Sequence, residues 1–498
     1  MRSKFLFAAS LTVGVVLAQK QALVFRGTVE KVDAATKRVT VNGEAVEGWM
    51  AAMTMAYPVA NAEVLATMKA GDRITAKVYA GDMSLHDLTV VAAPTAAGPV
   101  GLADLEKMAL ASNPTAAQVE ANLRAARALQ KQAGLYPNPT AGYYGDEIRG
   151  GYTGGGKQGG FVSQTIVTGG KLQAARRVAE LQAAEVAASG DVQRSRILNG
   201  VRAAYYHVLA AQRMLEVRQN LAKLAGDTAE TSRHLANIGQ ADRPDILMAE
   251  VEQQQAAVGV SLAQQGLTAA WRVLAAVVGK PELSPTRLEG DLDGVPELTY
   301  PEALAQTLRE SPEVKLAETG VSRAEATLKQ AQKVPIPDLQ VTGTLANNYE
   351  PLESTRRPLG LQGGAQVGVQ LPIFNRNQGN IAAAKGGIES SRSEAERLRL
   401  QLSRDMAGLF REYEAARAVV LQYRKEILPR AEQAYQMYQT SYTKMAAAYP
   451  QVLMSQRTLF QLEAEYVQAL DSVWQAAVAI RGFGLTEGLA QPIPAGAR

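Results

Sequence analysis

Hydrophobic positions along this 498-residue chain follow two periods, and the same succession of periods occurs twice. In the second half, Leu398, Leu402, Met406, Leu409, Tyr413, Ala416, Val420, Tyr423 and Ile427 recur at spacings of three and four. Such a near-heptad stripe predicts a long helix packed along other helices. Upstream the period falls to two. Leu339, Val341, Gly343, Leu345 and Asn347 alternate with Gln340, Thr342, Thr344, Ala346 and Asn348. Then Leu361, Gly363, Ala365, Val367, Val369 and Leu371 alternate with Gln362, Gly364, Gln366, Gly368 and Gln370. Each run has one mainly apolar and one mainly polar face over about 9 to 11 residues, the pattern of a strand that crosses an outer membrane.

The first half repeats this order. A helix is predicted over 102–136, interrupted at Asn113-Pro114, where proline removes a backbone donor and restricts its predecessor. Strands follow at 140–148 and 161–168 around a glycine-rich loop at 150–156. A very long helix then covers 171–237, about 100 Å if continuous at about 1.5 Å per residue, and another covers 245–278. Proline marks the repeat most clearly. Pro114, Pro137 and Pro139 return as Pro312, Pro335 and Pro337, each displaced by roughly 198 positions, which is the signature of an internal duplication. Further on, Tyr205, Ala210 and Ala211 answer Phe410, Ala415 and Ala416. Pro244-Asp245-Ile246-Leu247-Met248 answers Pro450-Gln451-Val452-Leu453-Met454. Two hairpins alone leave open edges, and in lipid these would strand unpaired peptide groups. Association with further copies closes them.

The first hundred residues differ. Arg2 and Lys4 precede the apolar run 5–17, and the small residue Ala18 closes it, so 1–18 reads as a secretory signal peptide. Short β-branched segments at 24–30, 38–41, 73–79 and 85–91, with a turn at Asn42-Gly43, predict a small β-barrel over 22–93. Residues 94–100 form a linker. The expected divisions are then 101–294 and 295–489 for the two repeats and 490–498 for a tail.

Composition narrows the chemistry. A net charge of +4 with interleaved signs leaves no footprint for nucleic acid. No run of 18 apolar residues follows the start, which excludes an ordinary membrane helix there. With no cysteine, disulfides and thiolate metal sites are excluded. His207 and His234 sit in helical contexts and assemble no nucleophile and base, and 154–160 lacks the Ser or Thr of a phosphate loop. The chain reads as a non-enzyme that requires no cofactor.

One segment does carry chemistry: Trp49-Met50-Ala51-Ala52-Met53-Thr54-Met55-Ala56-Tyr57. Strand spacing puts the thioethers of Met53 and Met55 on one side. Paired thioethers with an aromatic wall suit Cu(I) or Ag(I), although methionines at period two also serve plain core packing. The segment resembles the CusF-like periplasmic copper and silver binding domains. That resemblance carries metal ligation onto Met53 and Met55, with Trp49 as the aromatic neighbour. The family's histidine has no counterpart near Asn42, Gly43 and Glu44. His86 on the following strand and Met50, as a third sulfur, are the substitutes.

From about 101 to 489 the chain resembles the TolC-type outer membrane efflux family, in its heavy-metal branch. The resemblance rests on Ala109-Leu110-Ala111-Ser112-Asn113-Pro114, Gln164-Thr165-Ile166-Val167-Thr168-Gly169-Gly170-Lys171, and Leu371-Pro372-Ile373-Phe374-Asn375-Arg376-Asn377-Gln378-Gly379-Asn380-Ile381. It implies a mainly α fold with membrane β: a homotrimer whose four strands per chain close a 12-stranded barrel in outer membrane lipid, continued by a helical periplasmic tunnel. The implied partners are a periplasmic adaptor (membrane fusion) protein and an inner membrane RND-type transporter. Gly170 and Gly379 are expected to supply backbone freedom where strands return to helices.

In that family the two helix-to-helix turns form the tip that docks the adaptor. Here these turns contain Gly239, Asp242 and Asp245 in the first copy, and Met445 and Gln451 in the second. Asp242 and Asp245 are also candidates for a ring that selects cations, with helix capping the simpler role for Asp245. The expected function is export of heavy-metal ions, Cu(I) or Ag(I). A general drug or organic-solute channel with an inert N-terminal module and a soluble periplasmic binding or scaffold protein are the alternatives.

Overall fold

A computed structural model describes residues 22–33, 36–43, 45–46, 49–50, 53–59, 64–65, 68–69, 71–79, 82–91, 100–148, 155–237, 242–351, 357–444, 446 and 449–493. The expected signal peptide at 1–18, most of the expected linker at 94–100 and the glycine-rich segment at 150–154 lie outside them. The chain divides into two compact units, Met1–Gly98 and Pro99–Arg498.

Five strands form the first unit: β1 (Ala22–Asp33), β2 (Arg38–Gly43), β3 (Met53–Pro58), β4 (Arg73–Tyr79) and β5 (His86–Val91). Their order is β3-β2-β1-β4-β5, with antiparallel neighbours. A parallel bridge between Val59 and Leu85 joins the two ends of the sheet, and Leu85 N donates to Pro58 O at 2.9 Å. Alternation decides which side chains turn inward: Val39 and Val41 on β2, and Ile74, Ala76 and Val78 on β4, are buried with Phe25, Tyr57 and Leu85. The expected turn at Asn42-Gly43 is instead strand, paired with Thr54 and Met53. Glycine is needed there for space, because a Cβ on Gly43 would meet the Phe25 ring at 2.5 Å. The β1–β2 turn lies earlier, at Lys37, whose φ is 54°.

In the second unit the same run of elements appears twice. The first copy contains α1 (Leu102–Ser112), α2 (Pro114–Ala133), β6 (Thr140–Asp146), β7 (Lys157–Ile166), α3 (Lys171–Asn237) and α4 (Arg243–Val278). The second contains α5 (Tyr300–Glu310), α6 (Pro312–Lys333), β8 (Leu339–Pro351), β9 (Pro358–Val369), α7 (Gln378–Gln422), α8 (Leu428–Thr443) and α9 (Tyr449–Arg481). The matched prolines open α2 and α6, where a missing N–H costs nothing. Before each proline a polar residue caps the helix: Asn113 Oδ1 accepts from Thr115 N at 2.9 Å, and Ser311 Oγ accepts from Glu313 N at 3.3 Å. The heptad stripe does bury Leu398, Leu402, Met406, Tyr413 and Val420. It is not one continuous α-helix, however. A π-helical turn at Tyr423–Ile427 separates α7 from α8, one residue short of Pro429, which cannot donate in the ladder.

Aromatic side chains from both copies tie down the connector between α4 and α5. Tyr205 Oη donates to Glu289 O and Tyr413 Oη to Pro296 O. Trp474 Nε1 donates to Leu292 O at 2.8 Å, and Tyr466 Oη to Asp293 Oδ1 at 2.7 Å.

The four strands of this unit form one sheet in the order β6-β7-β8-β9. Its register sorts the side chains by face. Ile166, Leu339 and Val369 share a row; so do Ala141, Val162, Gly343 and Ala365, and so do Tyr143, Gly160, Leu345 and Gly363. The opposite face carries Thr140, Ser163, Thr342 and Gln366, and further along Asp146, Lys157, Asn348 and Gly360. Ser163 Oγ and Thr342 Oγ1 are hydrogen-bonded at 2.9 Å across it.

β7 starts four residues before the expected 161 and ends at Ile166. Thr168 turns out of the sheet because Asp338 Oδ1 accepts from its N–H at 2.8 Å. Gly169 and Gly170 take φ of 63° and 70°. At the matching turn Gly379 does not serve this role and lies within α7. Asn377 takes the left-handed conformation, φ 59°, and is held there as its Nδ2 donates to Ala331 O at 2.8 Å.

Gly279 ends α4 at φ 80°, and a Cβ there would lie 2.6 Å from Ser112 O. Gly279→Ala is expected to cost about 1–2 kcal/mol from backbone strain alone, more with the clash. Thermal melts of the helical circular dichroism signal in detergent will show a lowered midpoint; an unchanged midpoint would contradict this packing.

Candidate functional site

On β3, Met53 lies opposite Gly43 and Met55 opposite Val41, so both thioethers share the face that carries Tyr57. Exposure falls along that face: Met53 is 44% exposed and Tyr57 only 1%, and Met55 packs partly against the core. Trp49 stacks on Tyr57 with ring centroids 5.8 Å apart and meets Phe25 edge-on at 5.3 Å. Its Nε1 donates to Asp82 O at 2.9 Å. Met50 joins the same wall, its Sδ accepting from Tyr57 Oη at 3.5 Å. A sulfur face graded from solvent to core, against a fixed indole, has the softness and the desolvation that a monovalent soft ion favours.

His86 does not enter this face. Leu85 pairs with Val59, six residues along the chain from Met53, or roughly 20 Å at strand rise. The imidazole is instead held by Asp82, Nε2 lying 2.8 Å from Oδ2. Among the described residues no three His, Asp or Glu side chains cluster as a metal site, and the donors on the β3 face are the thioethers of Met53 and Met55.

At the far end of the long helices the two connections come together. Ala229 of α3, Ala249 of α4 and Leu453 of α9 form a small buried cluster with Tyr442 of α8 beside it. Burial raises the Tyr442 pKa above the ordinary phenol value, and the Asp245 carboxylate adds to the rise. Asp242 is exposed at the start of α4 and makes no side-chain cap. Asp245 is in the first turn, its N–H bonded to Asp242 O at 3.1 Å. Its negative charge there favours the helix N-terminus, a different role from capping. Gln451 is exposed in the first turn of α9. Gly239 and Met445 lie outside the described residues.

Higher along the helices lies His207, to which the sequence assigns no catalytic role. Its Nδ1 is 2.8 Å from Asp471 Oδ2, and that carboxylate raises the imidazole pKa against the opposing effect of burial. The pair lies in a groove of about 1020 Å³ that also carries Glu412, Ser472 and Gln475. The partner is 264 residues away in sequence, so no local signal could reveal it. Among the described residues these groups assemble no nucleophile, base and oxyanion donor.

The model of the outer membrane efflux protein family matches residues 105–280 and 303–483, more than half of the chain. The chain belongs to that family. Residues 24–92 also match the model of the copper binding periplasmic protein CusF. The cobalt-zinc-cadmium resistance protein CzcC of Cupriavidus metallidurans is 28% identical over 390 residues, covering 77% of this chain and 90% of the relative. The pyoverdine export outer membrane protein OpmQ of Pseudomonas aeruginosa is 26% identical over 299 residues, 57% of this chain and 60% of the relative.

Among solved structures, CusC superposes with a TM-score of 0.63 at 15% identity, over 78% of this chain and 92% of the other. The outer membrane protein VceC from Vibrio cholerae gives 0.60 at 17%, over 78% and 96%. The fold of the second unit is therefore that of the TolC-like channels, mainly helical with strands. This member is an outer membrane efflux channel with a large periplasmic portion and performs transport without enzymatic chemistry. Channels of this family work as trimers with a periplasmic adaptor and an inner membrane RND transporter, and the chain is related to the heavy-metal resistance protein CzcC.

Proposed function

We propose that the chain is the outer membrane exit duct of a pump that exports Cu(I) or Ag(I), carrying its own soft-metal module at 22–93. The linker at 94–100 joins the module to the two channel repeats, 101–294 and 295–489. The observation that carries the choice of metal is the graded thioether face of Met53 and Met55 beside the anchored Trp49. Met50 supplies a third sulfur once it gives up its bond from Tyr57. In this reading the metal is cargo: the module captures it in the periplasm, the transporter supplies the energy, and the duct is passive.

Three copies of the four-stranded sheet make a 12-stranded barrel, with the apolar rows facing lipid and the Ser163, Thr342 and Gln366 row facing the lumen. The adaptor docks at the tips formed by Gly239, Asp242, Asp245, Met445 and Gln451. Around the threefold axis Asp242 and Asp245 repeat as acidic rings that favour cations. The similarity to OpmQ favours a second reading, an organic-solute duct whose N-terminal module is inert.

Anaerobic titration of the full chain in detergent with Cu(I) separates the two readings. Saturable binding, weakened at least tenfold by the double substitution Met53→Leu and Met55→Leu, is expected. Unchanged affinity in that variant would remove the thioether site, and absence of saturable binding by the unaltered chain would favour the organic-solute duct. Planar-bilayer recordings test the rings. Asp242→Asn with Asp245→Asn is expected to lower the cation over anion permeability ratio several-fold, and an unchanged ratio places selectivity elsewhere.

A further inference from the structure

The turn between β4 and β5 is built around one aspartate, all of whose polar groups are engaged. Asp82 N donates to Tyr79 O at 2.9 Å, Oδ1 accepts from Ser84 N at 2.9 Å, and the carbonyl accepts from Trp49 Nε1 at 2.9 Å. Oδ2 is left for His86 Nε2, 2.8 Å away.

A carboxylate oxygen 2.8 Å from Nε2 is an acceptor, so Nε2 is the nitrogen engaged with Asp82 and Nδ1 is the one left to ligate. The ring is steadied from the side by Tyr79, edge-on with centroids 5.3 Å apart, and Nδ1 makes no hydrogen bond among the described residues. Histidines that ligate metals are set up in this manner, with a carboxylate holding the second nitrogen and making the first more basic. On the same turn, between Asp82 and Ser84, Met83 is 45% exposed, although a large apolar side chain gains nothing from that position. An imidazole nitrogen and a thioether sulfur three residues apart offer a monovalent copper or silver ion two donors of suitable softness.

We propose that His86 Nδ1 and Met83 Sδ form a soft-metal site on the β4–β5 turn, separate from Met53 and Met55, with Asp82 as the positioning residue. The site goes beyond the thioether face and does not depend on it. It gives the small unit an imidazole donor where the β2 end of the sheet has none. The bond from Trp49 to the Asp82 carbonyl anchors this turn to the residue that walls the sulfur face.

X-ray absorption at the copper edge on the full chain in detergent, loaded anaerobically with Cu(I), tests the site. The expected spectrum of the wild type contains the outer-shell scattering of imidazole. That scattering is expected to vanish in His86→Ala and to persist in Met53→Leu with Met55→Leu, where only sulfur scattering falls. Equilibrium dialysis is expected to find one ion fewer per chain in His86→Ala, and also in Met83→Leu, a surface change that conserves volume and leaves the fold intact. Imidazole scattering absent from the wild type or retained in His86→Ala would overturn the proposal, as would full occupancy in Met83→Leu. If the sulfur face itself holds nothing, the wild type binds a single ion with imidazole scattering, and the turn site stands alone.

Discussion

The second unit is governed by what happens at the edges of its sheet. β6 and β9 are the outer strands of a four-stranded sheet, and each presents a row of peptide groups that no strand among the described residues pairs. In hydrocarbon such a row has no water to turn to, and each unpaired group costs several kcal/mol. The sheet is nevertheless built for lipid, with Ile166, Leu339, Val369, Tyr143 and Leu345 on one face and hydroxyl and amide rows on the other. Only further copies of the same sheet satisfy both edges at once. Pairing of these edges by further copies is thus the condition under which this part of the chain can sit in a membrane, and the proposed trimer meets it.

The helices inherit their geometry from that sheet. At its periplasm-directed end both hairpins turn into long helices, and the two repeats are fastened to each other there. Asp338 of the second copy accepts from Thr168 and pairs with Lys171 of the first at 2.9 Å, and Lys333 Nζ donates to Gly169 O at 2.9 Å. A charged and partly buried clamp at this level sets the direction in which α3 leaves the sheet. Beyond it the aromatic ties on the connector hold α3, α7 and α9 in register, while the tip relies on small residues such as Ala229 and Ala249 that let backbones approach closely.

Much of this was legible in the sequence, because periodicity and proline placement are local signals. The 3.5 and 2.0 periods located the long helices and all four strands of the sheet, and the shift of roughly 198 between prolines exposed the duplication. What failed depended on contacts remote in sequence. Asn42-Gly43 looks like a turn until the Phe25 ring, brought over Gly43 by β1, shows why glycine is there. Gly379 looks like the flexible residue of its turn until Asn377 is seen tied to Ala331. The direction of His86 is set by Asp82 and by barrel closure at Leu85, neither of which a one-dimensional pattern contains. The thioether pair was visible as a motif, but its gradient from solvent to core became visible only with Tyr57 and Trp49 in place.

The account stands or falls on closure of the sheet by identical copies. Native mass spectrometry of the chain extracted from outer membranes in mild detergent measures that most directly. A trimer as the smallest abundant species, surviving dilution, is the result predicted here. A stable monomer would leave the edges of β6 and β9 unpaired in lipid and would contradict the account.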